Sequence, residues 1–260
     1  MDRKTTGVKA AIMQPTYLPW LGYFDIVDQV DKFVFLDDVQ LVKRSWQTRN
    51  RIKTAQGELF LTIPIKKATK RDDTLICNAV ISEDEPWKER HVRSIELAYK
   101  KAPYFDLTFP FIKKIIFNEE KKLSDYNIYI IKQIAAKLGL RTDFICSSEL
   151  KGISGKKDAR LVSICKYIGC DEYVAVQGSA AYIEKESPGG NFTKNNLKFL
   201  YHNYEHPAYD QINGNFISFM SVVDLFFNHG FDAGLAIIKN GRRSGIDPAT
   251  FRQEHLNLVS

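Results

Sequence analysis

Short apolar runs alternate with helical stripes along most of the chain. Residues 8–13, VKAAIM, are apolar enough for a buried strand. Residues 19–30 predict a helix with Pro19 in its first turn, where the missing N–H is tolerated. Residues 32–37, KFVFLD, predict a second strand. Elements this close together make a βαβ unit with parallel strands. LFLTIPI (59–65) and LICNAVI (75–81) predict two further strands, an antiparallel pair joined by the lysine-rich KKATKRDD. Helical spacing follows over 86–100, 106–117 and 121–138, the last closed by Leu138-Gly139. A second βαβ pattern runs from DFICSS (143–148) through the helix 158–169 to EYVAVQG (172–178). A Gly, Ser and Asn-rich loop (179–196), a strand (197–203) and an apolar helix (218–230) ending in Gly complete the order.

The pattern predicts the α/β class: a Rossmann-like, mainly parallel sheet with a helical insert at about residues 86–138. One domain of residues 1–245 is expected, with residues 246–260 as a polar tail and fraying beyond Lys239.

Composition narrows the function classes. The 260 residues are 44% hydrophobic and 26% charged, which suits a folded core. The net charge of +6 favours anionic partners: a phosphate-bearing small molecule, nucleic acid or a membrane surface. Many ordinary proteins carry such a charge, so the bias is mild. Cys77, Cys146, Cys165 and Cys170 form no CxxC pair, and no zinc-finger spacing occurs. The start, MDRKTTGVKAA, lacks the apolar core of a signal peptide, and no run is long enough for a membrane span. A cytoplasmic location is the expectation.

Candidate chemistry gathers at two strand ends. In open α/β sheets ligands bind at the carboxyl ends of strands, where a helix start offers N–H groups to an anion. The first end carries Gln14, Tyr17, Trp20, Gly22 and Tyr23; Gly22 allows close approach, and Trp20 and Tyr23 offer stacking faces. Packing of the helix on the sheet is the competing role for the aromatics. The second end carries Asp37, Asp38 and Gln40, then Lys43, Arg44, Trp46, Arg49, Asn50, Arg51 and Lys53. Adjacent acidic and basic groups suit phosphate handling, with or without Mg²⁺. A solvated charged loop is the alternative. Trp46 among the basic residues also suits single-stranded nucleic acid, more weakly.

Other candidates lie further on. His206 is a candidate general base, beside Tyr209 and Gln211. Asp224 sits in an apolar helix and needs a partner. Ser147, Ser148 and Arg160 are candidate anion ligands, or a cap and a surface charge. GxSxG, HExxH, Walker A and a full GxGxxG do not occur, which argues against serine hydrolases, zincins, P-loop enzymes and dinucleotide dehydrogenases.

The run QPTYLPWLGYF, then DKFVFLDDVQ and KRSWQTRNRIK, resembles the opening signature of the WbqC-like family. The resemblance continues through LFLTIPIKK, HVRSIELAYKKAPYF, SSEL, KDARLVSICKYIGCDEYV and YEHPAYDQINGNFISFMSVVDLFFNHG, in order and over nearly the whole chain. In VAVQGSAAYI, Gln177, Gly178 and Tyr182 fill the roles of a Gly loop followed by Tyr. The resemblance implies a place in surface-polysaccharide and O-antigen gene clusters, and a suggested glycine transferase acylating an amino sugar. A nucleotide-linked amino sugar is then the expected substrate. The turn at residues 8–30 is also placed like the HxGH turn of adenylating nucleotidyltransferases, but Leu18-Pro19-Trp20-Leu21-Gly22-Tyr23 keeps only its Gly. An ATP-dependent amide ligase is therefore an alternative, and neither ATP nor Mg²⁺ is required. A ready-made donor such as an aminoacyl-tRNA needs no adenylation. A non-catalytic nucleotide-sugar or RNA-binding protein is the remaining alternative.

Overall fold

A computed structural model describes residues 7–42, 44–66 and 74–255. Alternation in the short apolar runs builds the sheet. Strands β1 (Lys9–Met13) and β2 (Lys32–Phe35) flank helix α1 (Leu21–Gln29) in the chain and pair in parallel, Ala10 to Met13 against Lys32 to Phe35. Ala11, Phe33 and Phe35 point to one face of the sheet, Ala10, Ile12 and Val34 to the other.

The chain then leaves the sheet. A hairpin of β3 (Arg49–Thr54) and β4 (Gly57–Thr62) precedes helices α2 (Trp87–Tyr99), α3 (Phe105–Ile116) and α4 (Leu123–Lys137). It returns as β5 (Asp143–Cys146), parallel to β2. Helix α5 (Lys157–Tyr167), strand β6 (Glu172–Ala175), short helices α6 (Ala180–Ile183) and α7 (Gly190–Lys194), and strand β7 (Lys198–Tyr201) follow. Helices α8 (Val222–Asn240) and α9 (Pro248–His255) end the order. The sheet order is β5-β2-β1-β6-β7, with all neighbours parallel, a doubly wound Rossmann-like α/β arrangement. Side chains of α1 to α4 and α8 build the larger core on one face; those of α5, α6, α7 and α9 build the other.

Several sequence expectations change, and the expected loop 179–196 holds the two short helices α6 and α7. Residues 59–65 and 75–81 do not form a strand pair. Residues 57–62 pair with 49–54 across a tight turn, where Gly57 takes φ 104°. Residues 75–81 instead hold a 3₁₀ turn at Ile76–Asn78, and one bridge, Ile65 to Ile81, is left of the expected ladder. Most of the joining KKATKRDD lies outside the described residues. Pro19 precedes the helix, and its carbonyl accepts from the Val222 amide at 2.8 Å. Gly230 breaks the apolar helix with φ 73°, but the helix resumes and runs to Asn240. Residues 241–255 fold back on the sheet and are not a frayed tail: Ile246 bridges Tyr201, and the Phe251 ring packs 4.1 Å from the Tyr201 ring. No helix among the described residues is long and apolar enough to cross a membrane.

Candidate functional site

Strands β1 and β6 are neighbours, yet the chain proceeds outward from them in opposite directions. A crevice beyond their carboxyl ends is the usual ligand position in such sheets. The turn after β1 is heavily restrained. Asn50 of β3 donates from its side-chain amide to the carbonyls of Tyr17 (3.0 Å) and Leu18 (2.8 Å). Asn127 of α4 does the same to Pro15 and Gln47, at 3.1 and 2.8 Å. These bonds hold Leu18 at φ 41°, a conformation that costs a non-glycine residue about 1–2 kcal/mol.

The restrained turn opens a cleft of about 360 Å³. Its walls are aromatic: Trp20, Tyr23, Trp46 and Phe219, with Met13 at the end of β1. Thr16, Asn50 and Arg51 supply polar groups. An apolar cavity with a few fixed polar groups is the usual form of a small-molecule site. Gly22 lies under the Trp20 indole, so close that a Cβ there would fall 2.3 Å from a ring carbon. The Tyr23 hydroxyl lies 3.3 Å from the Gln14 carbonyl, and the Gln14 and Gln47 side-chain amides bond each other. Tyr17 is fully buried behind the cleft wall and bonds His91 Nδ1 at 2.9 Å.

His206 stands against the same wall. Its ring stacks on Trp20 at 6.1 Å and contacts Phe219 edge-on at 5.0 Å. Its Nδ1 lies 2.9 Å from the Pro207 carbonyl, which requires the proton on Nδ1 and leaves a lone pair on Nε2. Nε2 is shielded and has no hydrogen-bond partner among the described residues. Burial pulls the imidazole pKa below its usual value, so the ring is neutral at pH 7. His206 does not itself line the cleft, whereas Trp20 and Phe219, which its ring contacts, do.

The remaining sequence candidates are distributed elsewhere. Asp37 and Asp38 do not line the cleft. Asp37 accepts from the Ser148 amide (2.9 Å), the Ser148 hydroxyl (2.7 Å) and Ser124 (3.3 Å). Asp38 accepts from Ser147 at 2.6 Å and pairs with Arg160. Each carboxylate oxygen of the pair takes a proton donor, and no group of three or more His, Cys, Asp or Glu residues that could hold a metal occurs among the described residues. The group ties the end of β2 to the end of β5. Asp224, fully buried, accepts from Tyr99 (2.8 Å), Tyr209 (2.9 Å) and Gln211 (2.8 Å). Burial raises its pKa, with those donors opposing. Burial lowers the pKa of the neighbouring Lys53, which donates to the Gly214 carbonyl at 3.0 Å. This network fastens α8 to the helical layer and to the loop before it. Gln40 joins Leu75 through a backbone bridge, and Arg44 is exposed with φ 54°. Arg49 covers the Phe60 ring at 4.6 Å. Gln177 donates to the His202 carbonyl at 3.1 Å, Gly178 lies in the turn Gln177–Ser179, and Tyr182 lines a smaller cavity beside α5. Lys43 lies outside the described residues.

Sequence reasoning missed two features. Phe219 lines the cleft from the loop before α8, whereas the sequence pattern placed it at the start of the apolar helix 218–230. Fully buried Asp25 of α1 receives His202 Nε2 at 2.7 Å and Arg242 Nε at 2.9 Å, one turn along the helix from Trp20. A charged residue among Tyr23, Phe24, Ile26 and Val27 was its only signal.

The model of the WbqC-like protein family matches residues 14–235, and the chain belongs to that family. It is 30% identical over 227 residues to the uncharacterized protein Rv1507c of Mycobacterium tuberculosis, covering 86% of this chain and 95% of the relative. No solved structure matches.

Proposed function

We propose that this member of the WbqC-like protein family is a cytoplasmic acyltransferase that places glycine on the amine of a nucleotide-linked amino sugar, in the assembly of a surface polysaccharide. The observation that carries the reading is the aromatic cleft at the end of β1 with a neutral imidazole against its wall. Trp20 and Trp46 supply flat apolar faces for a sugar ring or base. Thr16, Asn50 and Arg51 supply the polar groups that orient it. The amine nitrogen attacks the acyl carbonyl carbon, the C–N bond forms and the leaving group departs. His206 Nε2 takes the proton lost by the amine, and a turn of the Phe219 side chain opens its way to the cleft. Asp37, Asp38, Ser147, Ser148 and Arg160 serve as the scaffold that joins β2 to β5.

The shielding of His206 Nε2 favours a second reading: a protein that binds a nucleotide sugar without turning it over. Mass spectrometry with nucleotide-linked amino sugars and glycyl donors separates the two. The transferase reading requires a glycyl amide product that disappears with His206→Asn while sugar binding persists. Binding with no adduct from any donor supports the second reading instead.

A further inference from the structure

The outer surface of the β3–β4 hairpin and the turn before it exposes aromatic rings and arginines together. Strand β4 is solvent-facing over most of its length, and Phe60 is 42% exposed. Trp46, 50% exposed, lies parallel to Phe60 at 6.3 Å and 25°. Arginines interleave with the rings: the Arg49 guanidinium lies 4.6 Å over Phe60 and that of Arg51 lies 5.9 Å from Trp46. Arg51 also binds Glu58 through two 2.8 Å bonds, while Arg49 pairs with no carboxylate among the described residues. Arg44 adds an exposed charge next to Trp46 in the chain. Trp46 and Arg51 belong to this surface and also line the cleft, so the surface leads into it.

We infer that this face binds the single-stranded end of an RNA whose terminal ribose carries the acyl group as an ester. Paired aromatic faces with arginines between them suit bases and phosphates together. Such stacking is tolerant of sequence and needs no groove. An isolated apolar patch would serve a protein partner equally, but Arg49 and Arg44, which pair with no carboxylate among the described residues, select an anionic one. The inference rests on the transferase reading for the acyl group alone. The ester is activated already. The amine nitrogen of the sugar attacks its carbonyl carbon, the amide C–N bond forms, and the C–O bond to the ribose breaks. The proton lost by the amine ends on the ribose oxygen.

The test uses fluorescence anisotropy of the full chain with deacylated tRNA, intact or trimmed of its single-stranded 3′ nucleotides, and with anionic phospholipid vesicles. The intact RNA binds at low salt, with affinity falling steeply as salt rises. Trimming the end weakens binding by tenfold or more. Phe60→Ala and Arg49→Ala, both at surface positions and checked for unchanged thermal unfolding, each weaken the intact RNA by about tenfold, or 1.4 kcal/mol. Equal binding of intact and trimmed RNA overturns the inference. So does binding to vesicles without RNA, or no binding at all. A glycyl amide formed from another donor, without RNA binding, leaves the transferase standing and removes this surface. RNA binding that depends on the 3′ end, without transfer, does the reverse.

Discussion

His91 is 6% exposed, and burial lowers its pKa from 6.5 to about 4. Its neutral ring accepts the Tyr17 hydroxyl at 2.9 Å. A depressed histidine favours the fold above its unfolded pKa, so its stabilisation is complete above about pH 6.5 and is lost as pH falls toward about 4. The loss from this group is about 3 kcal/mol. Urea titrations at pH 7 and pH 4 measure it, and His91→Gln removes that component while lowering stability at pH 7. Gly22 makes a sharper prediction for binding. A methyl there meets the Trp20 ring and displaces it. Gly22→Ala is expected to weaken a cleft ligand about tenfold, or 1.4 kcal/mol, with little change in thermal unfolding. Isothermal titration beside a melt separates the two effects. Trp20, Tyr23, Trp46 and Asn50 were legible as candidates, because each lies in the segments that follow β1 and β2, and all four line the cleft. Asp37 and Asp38 were equally conspicuous candidates, yet they do not line the cleft. The sequence cannot show that Ser124, distant in the chain, and Ser148 already occupy the Asp37 carboxylate.

At the scale of the element, the β3–β4 hairpin is where the expectations were weakest. Arg49, Arg51 and Lys53 alternate with Asn50 and Ile52, a period of two that charge disguises as a loop. Two of its residues, Asn50 and Arg51, nevertheless line the cleft. Asn50 reaches from β3 to the carbonyls that shape the turn after β1. Asn50→Ala leaves those buried acceptors without their donor, at a cost of about 2–4 kcal/mol. The strained φ of Leu18 then loses its restraint. The expected result is a lower unfolding midpoint together with loss of cleft binding, whereas a merely structural position would lower the midpoint alone. The long helices α2 to α4 were legible to within a few residues because their apolar stripes are long and regular. The 3₁₀ turn at Ile76–Asn78 was not, because a short apolar run fits a strand equally well.

Across the whole molecule, the order β5-β2-β1-β6-β7 puts the end of β1 at the centre of the sheet and the cleft beside it. Two βαβ patterns were enough to foresee the class. The returning segment 241–255 was not foreseen, because its polarity on one side hides Phe251 and Ile246 on the other. That segment closes the ionic network of Asp25, and Arg242 also binds Asp28 at 2.5 Å. Arg242→Ala leaves a buried carboxylate with one cationic partner fewer, and about 2–4 kcal/mol of destabilisation is expected. Chemical denaturation measures this directly, and a change within 0.5 kcal/mol means the segment does not contribute as described.

The central claim is that the cleft after β1 accepts an amino sugar for acylation. Titration of the protein with a nucleotide-linked amino sugar, beside the same nucleotide sugar without the amine, tests it most directly when each mixture is then given a glycyl donor and weighed by mass spectrometry. The account predicts binding of both, weaker binding of both with Trp20→Ala, and a mass gain of one glycyl residue on the amino sugar alone. No binding of either, or binding unaffected by Trp20→Ala, contradicts it.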